Sequence, residues 1–197
     1  MKQRYIIGGR KGWLKVKLDQ GRIVSLPEYI KVNFLERISN RDKFEILEGV
    51  YKGKKASVSA RGAETSWLGS PMPLYKSAVS LTFKISTSLL KTPIGDIQAV
   101  TDSINPIPTG VYPIQLPDFP HDLGESYLDQ ATKALTWFYL GTGNAVQGKN
   151  DRYLHTGLIS AGCVTVKEID KWDRLYKSLI RARALGGKKI GTIKVLA

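Results

Sequence analysis

The chain contains one cysteine, a residue type suited to nucleophilic catalysis. Cys163 is the only cysteine of the 197-residue chain, and His155, one of two histidines, precedes it with seven residues between them. A thiol attacks as its thiolate, and a free pKa of about 8.5 leaves only a few per cent ionised at neutral pH. A nearby imidazole can take the proton. The spacing therefore indicates a cysteine nucleophile with a histidine base.

A predicted helix just after the thiol is the element expected to activate it. Thr165 and Glu168 have the spacing of a capping box. This spacing predicts a helix capped by Thr165, two residues after Cys163, with its periodic apolar residues from Lys167 onward and its end at the Gly186-Gly187 pair. Its positive end would favour a thiolate or an oxyanion. The apolar residues that share one face of this helix are Ile169, Trp172, Leu175, Tyr176, Leu179 and Ile180.

Glycines between the two candidate residues permit a close approach of backbone and substrate. Gly157 and Gly162 allow the chain to return tightly from His155 to Cys163. The backbone N–H groups of Gly162 and Cys163 then form a candidate oxyanion hole.

Structural roles for the same residues stay open at this point. A lone cysteine can be a small buried hydrophobe, and a lone histidine can be a satisfied structural residue. His121 follows a turn-rich, proline-containing loop and either lines a cleft or lies on a surface loop. A zinc site of His121, His155 and Cys163 is chemically possible, but no metal-binding motif occurs. We expect no metal and no cofactor.

A resemblance to a known family rests on two segments in the same order. Ser160-Ala161-Gly162-Cys163-Val164 resembles the Ser/Thr-His-Gly-Cys-aliphatic signature of the YkuD-type L,D-transpeptidase catalytic domain. Upstream, Pro108-Thr109-Gly110-Val111-Tyr112 is similar to that family's Pro-Thr-Gly-Thr-Phe/Tyr segment. The resemblance covers roughly residues 78 to 197. It implies a β-sandwich or barrel with few helices.

The resemblance also implies a chemistry. Members of that family attack the carbonyl of the third residue of a peptidoglycan stem tetrapeptide, expel the terminal D-alanine, and pass the acyl group to an amine or to water. Cys163 would be the nucleophile that carries the thioester, and His155 the general base. The carbonyl of Thr156 would orient the imidazole. Ser160 and Gly162 match the conserved turn that supplies donors to the oxyanion.

Three departures from the family pattern indicate a divergent member. The loop between His155 and Cys163 is shorter than usual. Ala161 stands where the family has a second histidine, and Thr165 stands where it usually has an arginine. That arginine is thought to help hold substrate. Arg152 is a candidate to replace it, and with Tyr153 and His121 it is a candidate for the substrate cleft.

Alternation of apolar and polar residues predicts a mostly β (α+β) chain with one main C-terminal amphipathic helix. Residues 14–18 and 23–26 form a predicted hairpin, and residues 44–47 and 56–60 flank a Gly/Lys turn. Strands are also predicted over 79–86 and 134–140. A Gly/Pro-rich stretch over 61–75 is the predicted linker. It divides a basic β-rich N-terminal region (1–75) from an L,D-transpeptidase-like catalytic domain (76–197).

The charge pattern supports an alternative function. The net charge of +13 is divided into +9 over residues 1–62, −3 over 63–147 and +7 over 148–197. A basic surface attracts polyanions. The alternative is a non-enzymatic module that binds an anionic cell-wall polymer or nucleic acid. No nucleic-acid motif occurs, so we expect the stem peptide rather than nucleic acid as the partner. A single cysteine excludes a disulfide scaffold and multi-cysteine zinc fingers.

The expected location follows from the expected substrate. No apolar run approaches the ~20 residues of a membrane span, and the N-terminus has no apolar stretch of signal-peptide length. Peptidoglycan lies outside the cytoplasm. We therefore expect action in the periplasm or at the cell wall, after export by a secretion apparatus or in a phage-associated role.

Overall fold

The computed structural model describes residues 2–62, 65–142 and 151–197. Strands dominate these residues, and the longest helix among them has eight residues. The mostly-β class is confirmed. In the described ranges we find no helix with both the length and the hydropathy of a membrane span.

The N-terminal residues form a seven-stranded sheet in the order β3-β2-β6-β5-β4-β1-β7. Its strands are β1 (Lys2–Ile6), β2 (Trp13–Leu18), β3 (Ile23–Pro27), β4 (Lys31–Ile38), β5 (Arg41–Ile46), β6 (Lys55–Ser59) and β7 (Leu68–Gly69). Along β2, Leu14, Val16 and Leu18 are buried whereas Lys15 and Lys17 are exposed. This alternation places one face of the sheet on the core. The predicted β2–β3 hairpin and the β5–β6 pair are confirmed.

The remaining residues form an eight-stranded sheet in the order β12-β17-β9-β10-β11-β15-β14-β13. Its strands are β9 (Val79–Lys84), β10 (Leu89–Thr92), β11 (Gly95–Val100), β12 (Gly110–Gln115), β13 (Phe138–Thr142), β14 (Asp151–Thr156), β15 (Val164–Val166) and β17 (Lys189–Leu196). The edge strands β12 and β13 contact each other, so the sheet curves almost to a closed barrel. A separate short pair joins β8 (Lys76–Ser77) to β16 (Ala182–Arg183).

The predicted strand over residues 134–140 begins later than expected. Ala134 lies in a turn, where its carbonyl accepts a hydrogen bond from Trp137 Nε1 at 3.2 Å. The backbone N–H of Thr136 donates to the carbonyl of Lys133 at 2.9 Å. These local bonds replace ladder bonds, and β13 starts at Phe138.

The C-terminal helix is shorter than predicted. A 3-10 turn over Ile169–Lys171 leads into helix α1, which spans Trp172–Leu179. The capping-box prediction is wrong, because Thr165 lies in strand β15 and makes no cap. The β-branched run from Val164 to Val166 favours a strand over a helix. At the other end, Ala182–Arg183 pairs with β8 instead of continuing the helix. The predicted apolar face of α1 is confirmed as buried.

Specific hydrogen bonds join the N-terminal residues to the C-terminal residues. Trp13 Nε1 donates to Thr136 Oγ1 at 2.9 Å, and the Arg183 guanidinium donates to the buried Glu48 carboxylate at 3.0 Å. One hydrophobic cluster includes residues of both sheets. The predicted boundary after residue 75 falls between β7 and β8. The division into two domains stays a prediction, and residues 63–64 of its linker lie outside the described residues.

Candidate active site

Two adjacent parallel strands position the candidate nucleophile and base. Strands β14 and β15 pair in parallel, with Leu154 opposite Val164 and His155 opposite Thr165. Cys163 immediately precedes β15, so it lies at the level of Tyr153, two positions from His155 in this register. Residues 157–163 connect the end of β14 to the start of β15.

Arg152 determines the shape of the turn before Cys163. Its side chain is completely buried, and Nη1 donates to the carbonyl of Ala161 at 3.2 Å while Nη2 donates to Asn105 Oδ1 at 2.9 Å. Gly162 has a left-handed φ of +99°, and a Cβ there would collide with this guanidinium. This placement differs from the substrate cleft expected for Arg152, because a buried guanidinium engaged with the turn is not presented to a ligand.

His155 is held in one tautomer. Its Nδ1 lies 2.9 Å from the carbonyl oxygen of Thr156, which can only accept, so Nδ1 carries the proton. The residue is 5% exposed. Burial lowers the pKa of His155 from 6.5 to about 4, and the positive charge of His121 in its protonated form acts in the same direction. The imidazole is therefore neutral at pH 7, with a lone pair on Nε2.

Thr165 contacts the other nitrogen of this imidazole. Its Oγ1 lies 3.1 Å from His155 Nε2, and the residue has no exposed surface. The sequence interpretation assigned Thr165 to a helix cap and missed this contact. The β-branched run from Val164 to Val166 was the one feature of the sequence that indicated a strand at Thr165.

The environment of Cys163 differs from the one expected. The residue is 7% exposed, and burial raises the pKa of its thiol. A hydrogen bond from the backbone of Tyr153 and the charge of Arg152 oppose this effect only in part. Activation by a helix N-terminus is wrong, because β15 separates Cys163 from the helix. Ser160 Oγ donates to the carbonyl of Cys163 at 3.0 Å and closes the turn.

Four rings form a continuous stack that ends on the candidate base. Phe119 stacks on His121 with ring centroids 4.4 Å apart, and His121 stacks on Trp137 at 4.4 Å. Trp137 in turn stacks on His155 at 4.1 Å, with planes 17° apart. The indole thus lies between the two histidines and covers one face of His155.

A carboxylate fixes the outer part of this stack. Asp118 Oδ1 lies 3.2 Å from His121 Nε2, and Tyr153 donates its hydroxyl to Asp118 Oδ2 at 3.2 Å. Burial and the neighbouring Asp118 raise the pKa of Tyr153. The structure therefore brings His121 and Tyr153 together beside Trp137 and His155. The sequence analysis assigned neither Asp118 nor Trp137 to the site.

The described residues contain no group of three or more His, Cys, Asp or Glu side chains arranged to hold a metal ion. Nε2 of His121 contacts the Asp118 carboxylate. The two ring nitrogens of His155 contact the Thr156 carbonyl and the Thr165 hydroxyl.

Comparison with known proteins gives matches to structures only. No protein-family model and no curated protein matches the chain. L,D-transpeptidase 1 of Mycobacterium tuberculosis is similar with 10% identity and a TM-score of 0.37, over 93% of this chain and 81% of that one. Another L,D-transpeptidase, from M. tuberculosis H37Rv, gives 11% identity and a TM-score of 0.34, over 95% and 77%. Similarity at this level concerns the course of the backbone and does not extend to activity.

Proposed function

We propose that this chain is a cysteine acyltransferase that acts on peptidoglycan stem peptides through a thioester on Cys163. The observation that carries the proposal is the state of His155, a neutral imidazole fixed by the Thr156 carbonyl on the strand next to Cys163. The motif around Cys163 supplies the substrate class, since it resembles that of enzymes that cleave stem tetrapeptides.

The two pKa changes favour a neutral resting pair. Burial raises the pKa of the Cys163 thiol and lowers the pKa of His155. A neutral thiol and a neutral base therefore coexist at pH 7, in place of a thiolate and an imidazolium. Proton transfer then accompanies attack on the substrate and does not precede it.

The reaction divides into two acyl transfers. Sγ of Cys163 bonds to the carbonyl carbon of the third stem residue as its proton passes to Nε2 of His155, and the carbonyl π electrons move to oxygen. Collapse of this tetrahedral intermediate breaks the peptide bond, and the imidazolium returns the proton to the amino group of the departing D-alanine. An amine or water then attacks the thioester, with His155 again taking the proton.

The remaining residues of the turn position these groups. Thr156 fixes the tautomer of the base, and Ser160 and Arg152 hold the turn that presents Cys163. Gly162 leaves room for the Arg152 guanidinium. In the proposed mechanism the backbone N–H groups of Gly162 and Cys163 stabilise the oxyanion. The substrate places this activity in the periplasm or at the cell wall.

Release of D-alanine from purified stem tetrapeptide tests the proposal. The wild-type chain is expected to release it, and Cys163→Ala and His155→Gln are expected to lose the activity. Thr192→Val is a matched control, because Thr192 is an exposed residue on β17, outside the site. An added amine acceptor separates transpeptidation from hydrolysis by the mass of the product. A Cys163→Ala protein as active as the wild type would remove the proposal.

A further inference from the structure

We propose that the outer face of the N-terminal sheet binds a linear, base-free phosphodiester polymer through a cluster of cationic side chains around Ser57. The outer face is the one that carries Lys15 and Lys17, opposite the buried side chains of β2. It lies on other strands than Cys163 and His155, so the inference does not depend on the proposed function. The net charge of +9 over residues 1–62 shows that this part of the chain is basic, and the strand register shows where the charges meet.

Three lysines surround Ser57 on this face. Strand β6 lies between β2 and β5, and Ser57 is the Cα partner of Lys17 on β2 and of Lys43 on β5. Lys55 precedes Ser57 by two residues and therefore shares its face. Side chains directly opposite on neighbouring strands have Cβ atoms about 5 Å apart, and diagonal neighbours are about 7–8 Å apart. The small serine thus leaves an open floor between ammonium groups.

Arg41 adds a guanidinium that is fixed over the same position. Its Nε donates to Ser57 Oγ at 3.1 Å, and its Nη2 donates to the Ser57 carbonyl at 3.1 Å. Nη1 donates to Ser59 Oγ at 2.9 Å. These bonds use three of the five guanidinium N–H groups, so two remain for a ligand oxygen. A guanidinium held in place in this way matches the geometry of a phosphate group.

The carboxylates near this cluster neutralise little of its charge. Lys17 and Lys55 are exposed and form no ion pair with any described residue. Glu45 is the Cα partner of Lys55 but forms no ion pair with it. Lys43 pairs with Glu36 at 3.3 Å, with side chains 44% and 50% exposed, and such a surface pair contributes only ~0–1 kcal/mol. Like charges at this spacing destabilise the free protein, and a bound anion removes that repulsion.

The positive charge extends beyond the space of a single anion. Lys15 continues the row along β2, about 7 Å from Lys17. Arg22 and Lys54 are exposed immediately before β3 and β6, at the end of the sheet where the backbone N–H of Asp19 bonds to the Lys55 carbonyl. A row of cations of this length fits a chain of repeating phosphates.

The same face offers no ring on which a base could stack. Among the outward positions of the described strands β2, β5 and β6, the one aromatic residue is Trp13, and its indole donates to Thr136. Proteins that bind single-stranded nucleic acid stack its bases on exposed aromatic side chains. The face therefore fits a phosphodiester polymer without bases, a chemistry found among anionic cell-wall polymers.

Two double variants separate the cluster from net charge. Lys17→Gln with Lys55→Gln removes two diagonal neighbours from the cluster. Lys84→Gln with Lys194→Gln removes two exposed lysines from the neighbouring strands β9 and β17 of the other sheet, which are also diagonal neighbours. Fluorescence anisotropy of a labelled poly(glycerol phosphate), titrated with the full chain at several salt concentrations, measures binding.

The cluster variant is expected to bind about 30-fold more weakly at 0.1 M salt. Each phosphate contact contributes about 0.7–0.9 to the slope of log K against log salt, which corresponds to a factor of about 5–8 at that concentration. The slope should accordingly decrease by about 1.5, and the control variant should stay close to the wild type. Equal losses in the two double variants would overturn the cluster, because they indicate dependence on net charge alone. A wild-type chain that does not bind the polymer would overturn the proposal.

Ser57→Asp tests the centre of the cluster. It places a carboxylate among the cations and keeps an acceptor for Arg41, so binding should be lost while the urea midpoint does not fall. A Ser57→Asp protein that binds as tightly as the wild type would overturn the site.

Nucleic acid is the competing ligand. At equal phosphate concentration the chain should bind poly(glycerol phosphate) at least as tightly as single-stranded DNA, and tighter binding of DNA would overturn the base-free assignment. Release of D-alanine from soluble stem tetrapeptide should be equal in the wild type and in the Lys17→Gln, Lys55→Gln protein. Failure of the proposed function is therefore seen in that release, and failure of this inference in the binding curves.

Discussion

Burial of the neutral His155 ring makes the stability of the protein depend on pH. The folded-state pKa is about 4, against 6.5 for an exposed histidine. Between these values the unfolded chain binds a proton that the folded chain does not. Stability is therefore complete above pH 6.5, decreases as the pH falls below it, and stops decreasing below about pH 4. At 1.36 kcal/mol per pH unit, the full difference corresponds to about 3 kcal/mol.

Urea unfolding at pH 7.5 and pH 5.0 measures this dependence. Over that interval the wild type should lose about 2 kcal/mol more than His155→Gln, because the variant has no imidazole to protonate at that site. His121→Gln, which removes the other histidine, reports the contribution of His121 separately. Equal pH dependence in the wild type and in His155→Gln would refute the assignment of a buried neutral base.

Three further variants test the positioning of the site. Gly162→Ala should destabilise the protein by about 1–3 kcal/mol more than Gly21→Ala, measured by urea unfolding, because both positions have positive φ but only Gly162 faces a guanidinium. Arg152→Met should destabilise the protein by about 1–3 kcal/mol in the same assay, because the turn loses the hydrogen bonds that the buried guanidinium donates to the Ala161 carbonyl and Asn105 Oδ1; an unchanged midpoint would contradict this. Trp137→Leu should raise the pKa of His155 in an NMR titration, because water reaches the ring face that the indole covers; an unchanged pKa would contradict the stack.

The local spacing of apolar and polar residues was sufficient to predict much of the fold. Strict alternation in β2 and β9 predicted half-buried strands, and the hairpin of residues 14–18 and 23–26 was predicted as well. The C-terminal helix was predicted too long at both ends. Its amphipathic spacing extends beyond Leu179, but pairing of residues 182–183 with β8 ends the helix, and this long-range contact has no counterpart in local periodicity.

The candidate site was predictable in its residue types and not in its environment. The Cys163 turn and the Thr156 carbonyl beside His155 follow from the sequence. The ring stack from Phe119 through His121 and Trp137 to His155 does not, because the segments that carry these residues are far apart along the chain. The burial of Arg152 was also hidden, because charge alone predicts exposure. The alternative role in binding a polyanion stays a prediction.

A thioester on Cys163 is the central claim, and intact-mass spectrometry after rapid acid quenching observes it directly. Incubation with stem tetrapeptide should add to the wild-type chain the mass of the tripeptide stem that remains after D-alanine departs. Peptide mapping should place this mass on the fragment that contains Cys163, and hydroxylamine should remove it. No adduct on the wild type, or the same adduct on Cys163→Ala, would contradict the account.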